Sequence, residues 1–189
     1  MKEILMSIRP EWCKRIFNGE KTIEVRKTRP IIDMPFKVFV YETKAQFVKS
    51  VRGACTTYGY GRGKVIGSFV CDRIREIIPL GLRGFKLGAE WLKEMCLSKE
   101  QLDEYGGLKT LYSWHITEPK LFDKPRELGE FYTICNKYGD DSCGDCPYLA
   151  VEQCSFPCDD CVDTWCSVDN IKPITRPPQS WCYVEEVVE

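Results

Sequence analysis

The feature that most constrains the fold of this 189-residue chain is an abrupt change in sequence character at about residue 135. The residues before it contain short apolar stretches rich in Val, Ile, Phe and Tyr, side chains that favour strands. Residues 135–170 are instead rich in Cys and Asp and show little hydrophobic periodicity. We therefore predict one domain built from residues 1–134 and 171–189, with a Cys-rich insertion at 135–170.

The spacing of the apolar residues predicts a mixed α+β domain. One predicted helix starts at Pro10, a second spans residues 87–96, and a third follows Ser98. The glycine-rich residues 53–63 are predicted to form a mobile loop. The predicted strands cover residues 4–8, 22–26, 37–42, 64–74, 112–117 and 180–185. About six short strands with two or three flanking helices favour closure as a β-barrel.

The net charge of −1 conceals a strong separation of charge along the chain. Residues 1–29 contain eight Lys/Arg and four Asp/Glu, and residues 44–75 contain seven Lys/Arg and one Asp. Residues 139–170 contain eight Asp/Glu and no Lys or Arg. The basic regions can therefore face phosphates while the acidic insertion faces elsewhere. A protein-interaction module that contacts a basic partner through this acidic insertion is an alternative function. The first residues resemble neither a signal peptide nor a membrane span, so we expect a cytoplasmic protein with reduced thiols.

A compact motif lies at the predicted corner between the first helix and the second strand. Residues 18–26 contain the pattern Gly-x-Lys-x-x-Glu-x-Arg at Gly19, Lys21, Glu24 and Arg26. This pattern resembles the signature of the ASCH domains, a branch of the PUA-like β-barrels. Further stretches support the resemblance: Ser-Ile-Arg-Pro at 7–10, Val-Ile-Gly-Ser-Phe-Val at 65–70, Tyr-Ser-Trp-His-Ile at 112–116, and Arg-Pro-Pro-Gln-Ser-Trp-Cys at 176–182.

The resemblance covers about residues 1–130 and 172–189, and the C-terminal stretch is similar to small ASCH proteins common in bacteria and their prophages. It implies a PUA-like barrel and binding of RNA or another single-stranded nucleic acid. Glu24 and Arg26 are two residues apart on a strand, so both project from one face. Arg26 can fork onto a phosphate or a base edge, and Lys21 adds a point charge, while Arg9 extends the positive surface. An exposed structural ion pair between Glu24 and Arg26 is the alternative, worth about 0–1 kcal/mol.

The glycine-rich loop supplies further candidate contacts to nucleic acid. Tyr58 and Tyr60 alternate with glycines ahead of Arg62. Aromatic side chains stack on unpaired bases, at about 1–3 kcal/mol per base. A flexible hairpin tip with surface tyrosines is the equally simple alternative.

The sequence leaves catalysis open. The resemblance includes a branch of amidohydrolases acting on acetylated cytidine, which use a Lys and a Thr on this strand and a Glu from a later helix. Lys21 is retained, but Glu24 occupies the position of that Thr, and a Thr nucleophile needs an adjacent base. Other members cleave RNA, where Lys21 and Glu24 would serve as acid and base. The candidate acids from later helices are Glu90, Glu94 and Glu100, and His115 is interpreted as a structural residue.

Seven of the twelve cysteines fall between residues 135 and 166. Two Cys-x-x-Cys pairs, at 143/146 and 158/161, predict one structural zinc site held by Cys143, Cys146, Cys158 and Cys161. Disulfides, free thiols and an iron–sulfur cluster are the alternatives. The same segment contains three further cysteines without an assigned role: Cys135, Cys154 and Cys166.

Overall fold

The computed structural model of the chain describes residues 3–51, 55–133 and 173–186. These residues form nine strands, three α-helices and two short 3₁₀ turns at Gly81–Arg83 and Leu128–Glu130. The elements, in chain order, are β1 Glu3–Ile8, α1 Pro10–Phe17, β2 Ile23–Arg26, β3 Phe36–Glu42, β4 Gln46–Val51, β5 Cys55–Tyr60, β6 Lys64–Ile77, α2 Ala89–Met95, α3 Lys99–Gly106, β7 Leu111–Arg126, β8 Phe131–Thr133 and β9 Trp181–Glu186.

Seven of these strands form one mixed sheet in the order β2-β7-β6-β3-β1-β9-β8. Only the β1–β3 pair within it is parallel. The edge strands β2 and β8 do not pair with each other, so the described residues form an open sheet. The predicted closed barrel is therefore wrong for this part of the chain. Period-two patterns predict where strands lie, whereas closure depends on pairing between strands far apart in sequence.

The remaining two strands form a separate hairpin, β4–β5. The sequence predicted a mobile loop at 53–63, but most of this segment belongs to β5. The alternating glycines hid the strand, because glycine is depleted in strands and favours turns. The prediction of a mobile loop therefore failed because the residue propensities of this segment oppose a strand, whereas its pairing with β4 forms one.

Both faces of the large sheet are covered by apolar side chains. On one face Ile4, Met6 and Val38 pack with the buried side of α1. On the other, Leu5 and Phe39 pack with residues from β8 and β9. A third cluster joins β2 and β7 to α2 and α3. This double coverage explains why the central strands are almost continuously apolar.

The described residues contain neither the predicted zinc ligands nor a helix that could span a membrane. The four predicted zinc ligands, Cys143, Cys146, Cys158 and Cys161, lie outside the described residues, as do Cys135, Cys154 and Cys166. Within the described ranges, no group of three or more His, Cys, Asp or Glu side chains is arranged to hold a metal ion. No helix in the same ranges has the length and apolarity needed to span a bilayer.

Candidate functional site

The corner between α1 and β2 sets the position of the motif. Gly19 has φ of 75°, a left-handed conformation that favours glycine at the end of a helix. The amides of Glu20 and Lys21 both donate to the carbonyl of Arg15, at 2.9 and 3.0 Å. Immediately before β2, Thr22 N donates to the Glu94 carbonyl at 3.0 Å. These backbone bonds hold Lys21 between α1 and the end of α2.

Glu24 bridges the two basic residues of the motif. Its Oε2 lies 3.4 Å from Lys21 Nζ, and its Oε1 lies 3.0 Å from Arg26 Nη2. The cations also bind carbonyls: Lys21 Nζ donates to Met95 O at 2.6 Å, and Arg26 Nη2 to Ser7 O at 2.8 Å. The cluster therefore fastens β2 to α2 and to β1.

All three side chains are buried, with 3%, 9% and 10% of the Lys21, Glu24 and Arg26 side chains exposed. The structural ion pair between Glu24 and Arg26, which was the alternative, therefore does form, but it is buried rather than exposed. Burial lowers the pKa of the Lys21 ammonium below its usual value, and the Glu24 carboxylate beside it offsets part of that effect. Two cations around one carboxylate leave the cluster with a net positive charge.

The cluster lies against a cavity of about 420 Å³. The residues around it come from β1, α1, β2, α3 and the loops after β3, α2 and residue 173: Ser7, Ile8, Arg9, Trp12, Lys21, Glu24, Val25, Arg26, Thr43, Leu97, Gln101, Tyr105 and Gln179. Two buried polar atoms on this lining, Arg26 Nε and Thr43 Oγ1, have no hydrogen-bond partner among the described residues. Leaving such a buried polar atom unpaired costs about 1–3 kcal/mol, and both atoms are covered by protein rather than open to the cavity.

Aromatic side chains contribute to the cavity from two helices. The Lys21 ammonium and the Arg15 guanidinium each lie 5.3 Å from the centre of the Trp12 ring. Tyr105 from α3 is 39% exposed, and Lys27 lies 4.8 Å from its ring centre. Aromatic faces with hydrogen-bonding groups between them suit a planar polar ligand such as a nucleobase.

The structure brings together only some of the residues predicted for nucleic-acid binding. Arg9 lines the cavity with Lys21, Glu24 and Arg26. Tyr60 is 71% exposed, and neither it nor Arg62 lines the cavity. Arg62 instead pairs with Glu42, with Nε and Oε2 3.9 Å apart. Tyr58 belongs to β5, and its side chain lies outside the described part.

The candidate catalytic acids do not reach the motif cavity. Glu90 and Glu100 line neither of the two main cavities, and Glu94 lines a different cavity from Lys21. Thr22 is likewise absent from the lining. His115, interpreted from sequence as structural, has a side chain that is 31% exposed and is paired with Asp72.

Sequence reasoning missed most of the cavity wall. Trp12, Thr43 and Tyr105 come from three separate elements, and no local pattern connects them. Gln179 lies within the Arg-Pro-Pro-Gln-Ser-Trp stretch that supported the family resemblance, so that stretch held a usable signal. Ser7 could likewise have been found from the sequence, because it is the first residue of the Ser-Ile-Arg-Pro stretch that supported the same resemblance.

Comparison with known proteins completes the description. A family model described as the ASCH domain matches residues 6–126, well over half of the chain. The solved structure of ASCH from Zymomonas mobilis is 21% identical, with 67% of this chain and 73% of that chain covered and a TM-score of 0.48. Two variants of the same protein are each 20% identical, with TM-scores of 0.45 and 0.44. They cover 68% and 67% of this chain, and 77% and 74% of their own. No curated protein matches the chain.

Proposed function

The chain belongs to the ASCH domain family, whose PUA-like fold is generally associated with RNA binding, and on this premise we propose that its motif cavity binds one nucleotide of a single-stranded RNA. The observation that carries the proposal is the cavity itself, which places Trp12 and Tyr105 beside the cations Lys21 and Arg26. Aromatic side chains stack on unpaired bases, and the neighbouring cations suit the phosphates on either side.

The charge of the site supports a nucleotide over a neutral ligand. Lys21 and Arg26 exceed Glu24 by one positive charge, and exposed Arg9 adds another at the cavity. Flanking phosphates can therefore be neutralised while the base enters the cavity. The cognate RNA then binds through stacking and base-edge contacts within the cavity and through salt-sensitive phosphate contacts around it.

A titration of fluorescent single-stranded RNA against the full chain tests this function. Tyr105→Ala should weaken binding by about 1–3 kcal/mol, because it removes a stacking surface. Arg83→Gln removes an exposed charge that is not part of the cavity, and serves as the control. Affinity should fall as salt rises in every variant that still binds.

The same titration separates the cavity from the hairpin. Tyr60→Ala removes the exposed tyrosine that the sequence predicted as a stacking residue. A loss of affinity in Tyr60→Ala, with Tyr105→Ala binding like the wild type, would move the RNA site to the hairpin and contradict the proposal.

A second candidate function is hydrolysis of RNA or of an acetylated nucleoside in the same cavity. It is favoured by the lowered pKa of Lys21, which brings this amine closer to the range of a general base. Thr43 lines the same cavity from the loop after β3, whereas the Thr of the amidohydrolase branch lies on the strand that follows Lys21. Turnover of acetylated cytidine by the wild type, lost in Lys21→Met, would establish this activity.

For the Cys-rich segment we propose a structural zinc site at Cys143, Cys146, Cys158 and Cys161. The support is the spacing of the two pairs, since a bound metal can hold together a segment with few large apolar residues. Its eight acidic residues between 139 and 170 give it a negative surface that suits a basic protein partner better than RNA. A zinc site of this kind needs reduced thiols, so we also propose that the protein is cytoplasmic.

A further inference from the structure

A second cavity, of about 230 Å³, lies beside the same edge of the sheet. Its lining comes from three strands and α2: Ile23, Arg73, Arg75, Trp91, Glu94, Ser113 and His115. Ile23 alternates along β2 with Glu24, and His115 alternates along β7 with Trp114. Successive strand residues point to opposite faces, so this cavity and the motif cluster lie on opposite faces of the sheet.

An irregularity in the strand pairing assembles the polar wall of this second cavity. Cys71 pairs with Ile116 and Ile74 with Trp114, so Asp72 and Arg73 together face His115. Two residues opposite one define a β-bulge, a feature that redirects side chains and is common beside functional sites. Here it places Asp72 Oδ1 2.6 Å from His115 Nδ1.

The Asp72 contact fixes how the imidazole is presented. With Nδ1 hydrogen-bonded to the carboxylate, Nε2 is the nitrogen left for a ligand, and it has no hydrogen-bond partner among the described residues. A carboxylate that orients an imidazole in this way is typical of a histidine that binds or reacts through its other nitrogen.

The two arginines of this cavity have no carboxylate partner within the described ranges. Arg75 lies over the Trp91 ring, 5.8 Å from its centre, which leaves its N–H edge free to donate. Arg73 and Arg75 are both exposed and two residues apart on β6. Glu94 is the one carboxylate on the lining, and Asp72 adds a second negative charge against His115, so the two guanidinium groups balance two carboxylates.

We propose that this second cavity binds a phosphate group through Arg73, Arg75 and Nε2 of His115, with Asp72 as a positioning residue. Paired guanidinium forks match the oxygens of a phosphate, and the buried Ser113 hydroxyl on the same lining donates to the Arg75 carbonyl at 3.1 Å, which holds the backbone of that arginine in place. The phosphate can be part of an RNA backbone or of a free phosphorylated compound. The site does not depend on the RNA function of the motif cavity, because it uses other residues on the other face.

The single histidine of the chain makes the test direct, because the Hε1 proton of His115 gives one assignable NMR signal. The full chain is titrated at constant pH with sodium phosphate, with sodium chloride at matched ionic strength, and with a single-stranded RNA. The variants are Arg73→Gln, the double variant Arg73→Gln/Arg75→Gln, and Arg83→Gln as an exposed-charge control. Arg73 has an exposed side chain, so its single replacement reports on the site even where the double variant is less stable.

Phosphate should shift the His115 signal saturably in the wild type and in Arg83→Gln, with at least a tenfold weaker affinity in the double variant and an intermediate loss in Arg73→Gln. If RNA shifts the signal as well, and its salt slope falls by about 0.7 per lost contact in the variants, the phosphate belongs to RNA. If only free phosphate acts, a small phosphorylated compound is the ligand. An equal shift with chloride, or equal phosphate affinity in wild type and double variant, would mean an adventitious ion only and would overturn the proposal. The Tyr105→Ala titration reports on the motif cavity alone, so the two sites can fail separately.

Discussion

At the residue scale, Glu24 organises the motif cavity by using both carboxylate oxygens on neighbouring cations. Arg26 Nη2 is shared between Glu24 and the Ser7 carbonyl, which fixes the plane of its guanidinium. In this arrangement Arg26 Nε is buried and has no hydrogen-bond partner among the described residues. Arg26, which contacts RNA under the proposed function, is therefore also a structural residue, and its variants must be tested for both RNA binding and stability.

Arg26→Ala should lower the free energy of unfolding by about 3–5 kcal/mol, because it leaves Glu24 buried with one of its cations removed. The Arg62–Glu42 pair provides the matched control, since 59% of the Arg62 side chain is exposed. Arg62→Ala should cost no more than about 1 kcal/mol. Urea denaturation of both variants measures the difference, and equal losses would show that burial of the motif cluster does not matter for stability.

Lys21 should make stability depend on pH in the alkaline range. Because burial lowers its pKa in the folded state below the ordinary 10.5, the unfolded chain holds the proton more tightly between those two pKa values. The free energy of unfolding therefore rises with pH across that window. Lys21→Met should lose this contribution, so its stability relative to the wild type should fall as pH rises. Urea denaturation at several pH values up to about 10.5 checks it, and parallel curves would contradict it.

At the element scale, the corner between α1 and β2 links helix termination to the site. The sequence was sufficient for this part: Pro10 at the start of α1, Gly19 after its end, and β2 at 23–26 all agree with the pattern. The capping box at Ser98 and Gln101 is also confirmed at the start of α3. These features are local, so the residues involved are neighbours in sequence.

Gly19→Ala should cost about 1–2 kcal/mol, because a Cβ is disfavoured in the left-handed conformation at φ of 75°. Open space surrounds the site of the added methyl group, so no clash contributes. Gly129→Ala is the matched control, since it also meets open space but lacks a positive φ. Thermal unfolding of both proteins tests the effect, and equal midpoints would exclude strain at this corner.

Other elements could not be predicted because their causes are not local. The strand β5 and the open edge at β2 depend on which partner each strand finds, and a period-two pattern does not specify that partner. The same limit applies to the site. The grouping of Lys21, Glu24 and Arg26 follows from their spacing, whereas Thr43 and Tyr105 reach the cavity only through tertiary packing.

At the scale of the whole molecule, the described residues present two separate cavities beside one sheet, both lined by arginines. The acidic residues 139–170 form a segment of opposite sign in the same chain. If RNA binds as proposed, the basic regions attract it while the acidic segment repels it. The proposed binding of a polyanion is therefore compatible with a net charge of −1.

The proposed zinc site predicts one zinc ion per chain in native mass spectrometry, held by sulfur atoms at about 2.3 Å. Cys143→Ser/Cys158→Ser should remove the metal, because each pair then loses one ligand. Cys182→Ser is the control, since Cys182 is a free cysteine in β9. A metal-free wild type would show that these cysteines do not form a zinc site. Disulfides that persist under reducing conditions would show the same, and each of them lowers the measured mass by two hydrogens.

The central claim is that the motif cavity holds a base, and photo-cross-linking locates that base most directly. The full chain is irradiated with a single-stranded RNA containing 4-thiouridine, and the cross-linked peptides are identified by mass spectrometry. We expect cross-links at Trp12 and Tyr105, and their loss in Tyr105→Ala, because these aromatic side chains line the cavity. Cross-links confined to residues 46–60 or 135–170, with none at Trp12 or Tyr105, would contradict the account.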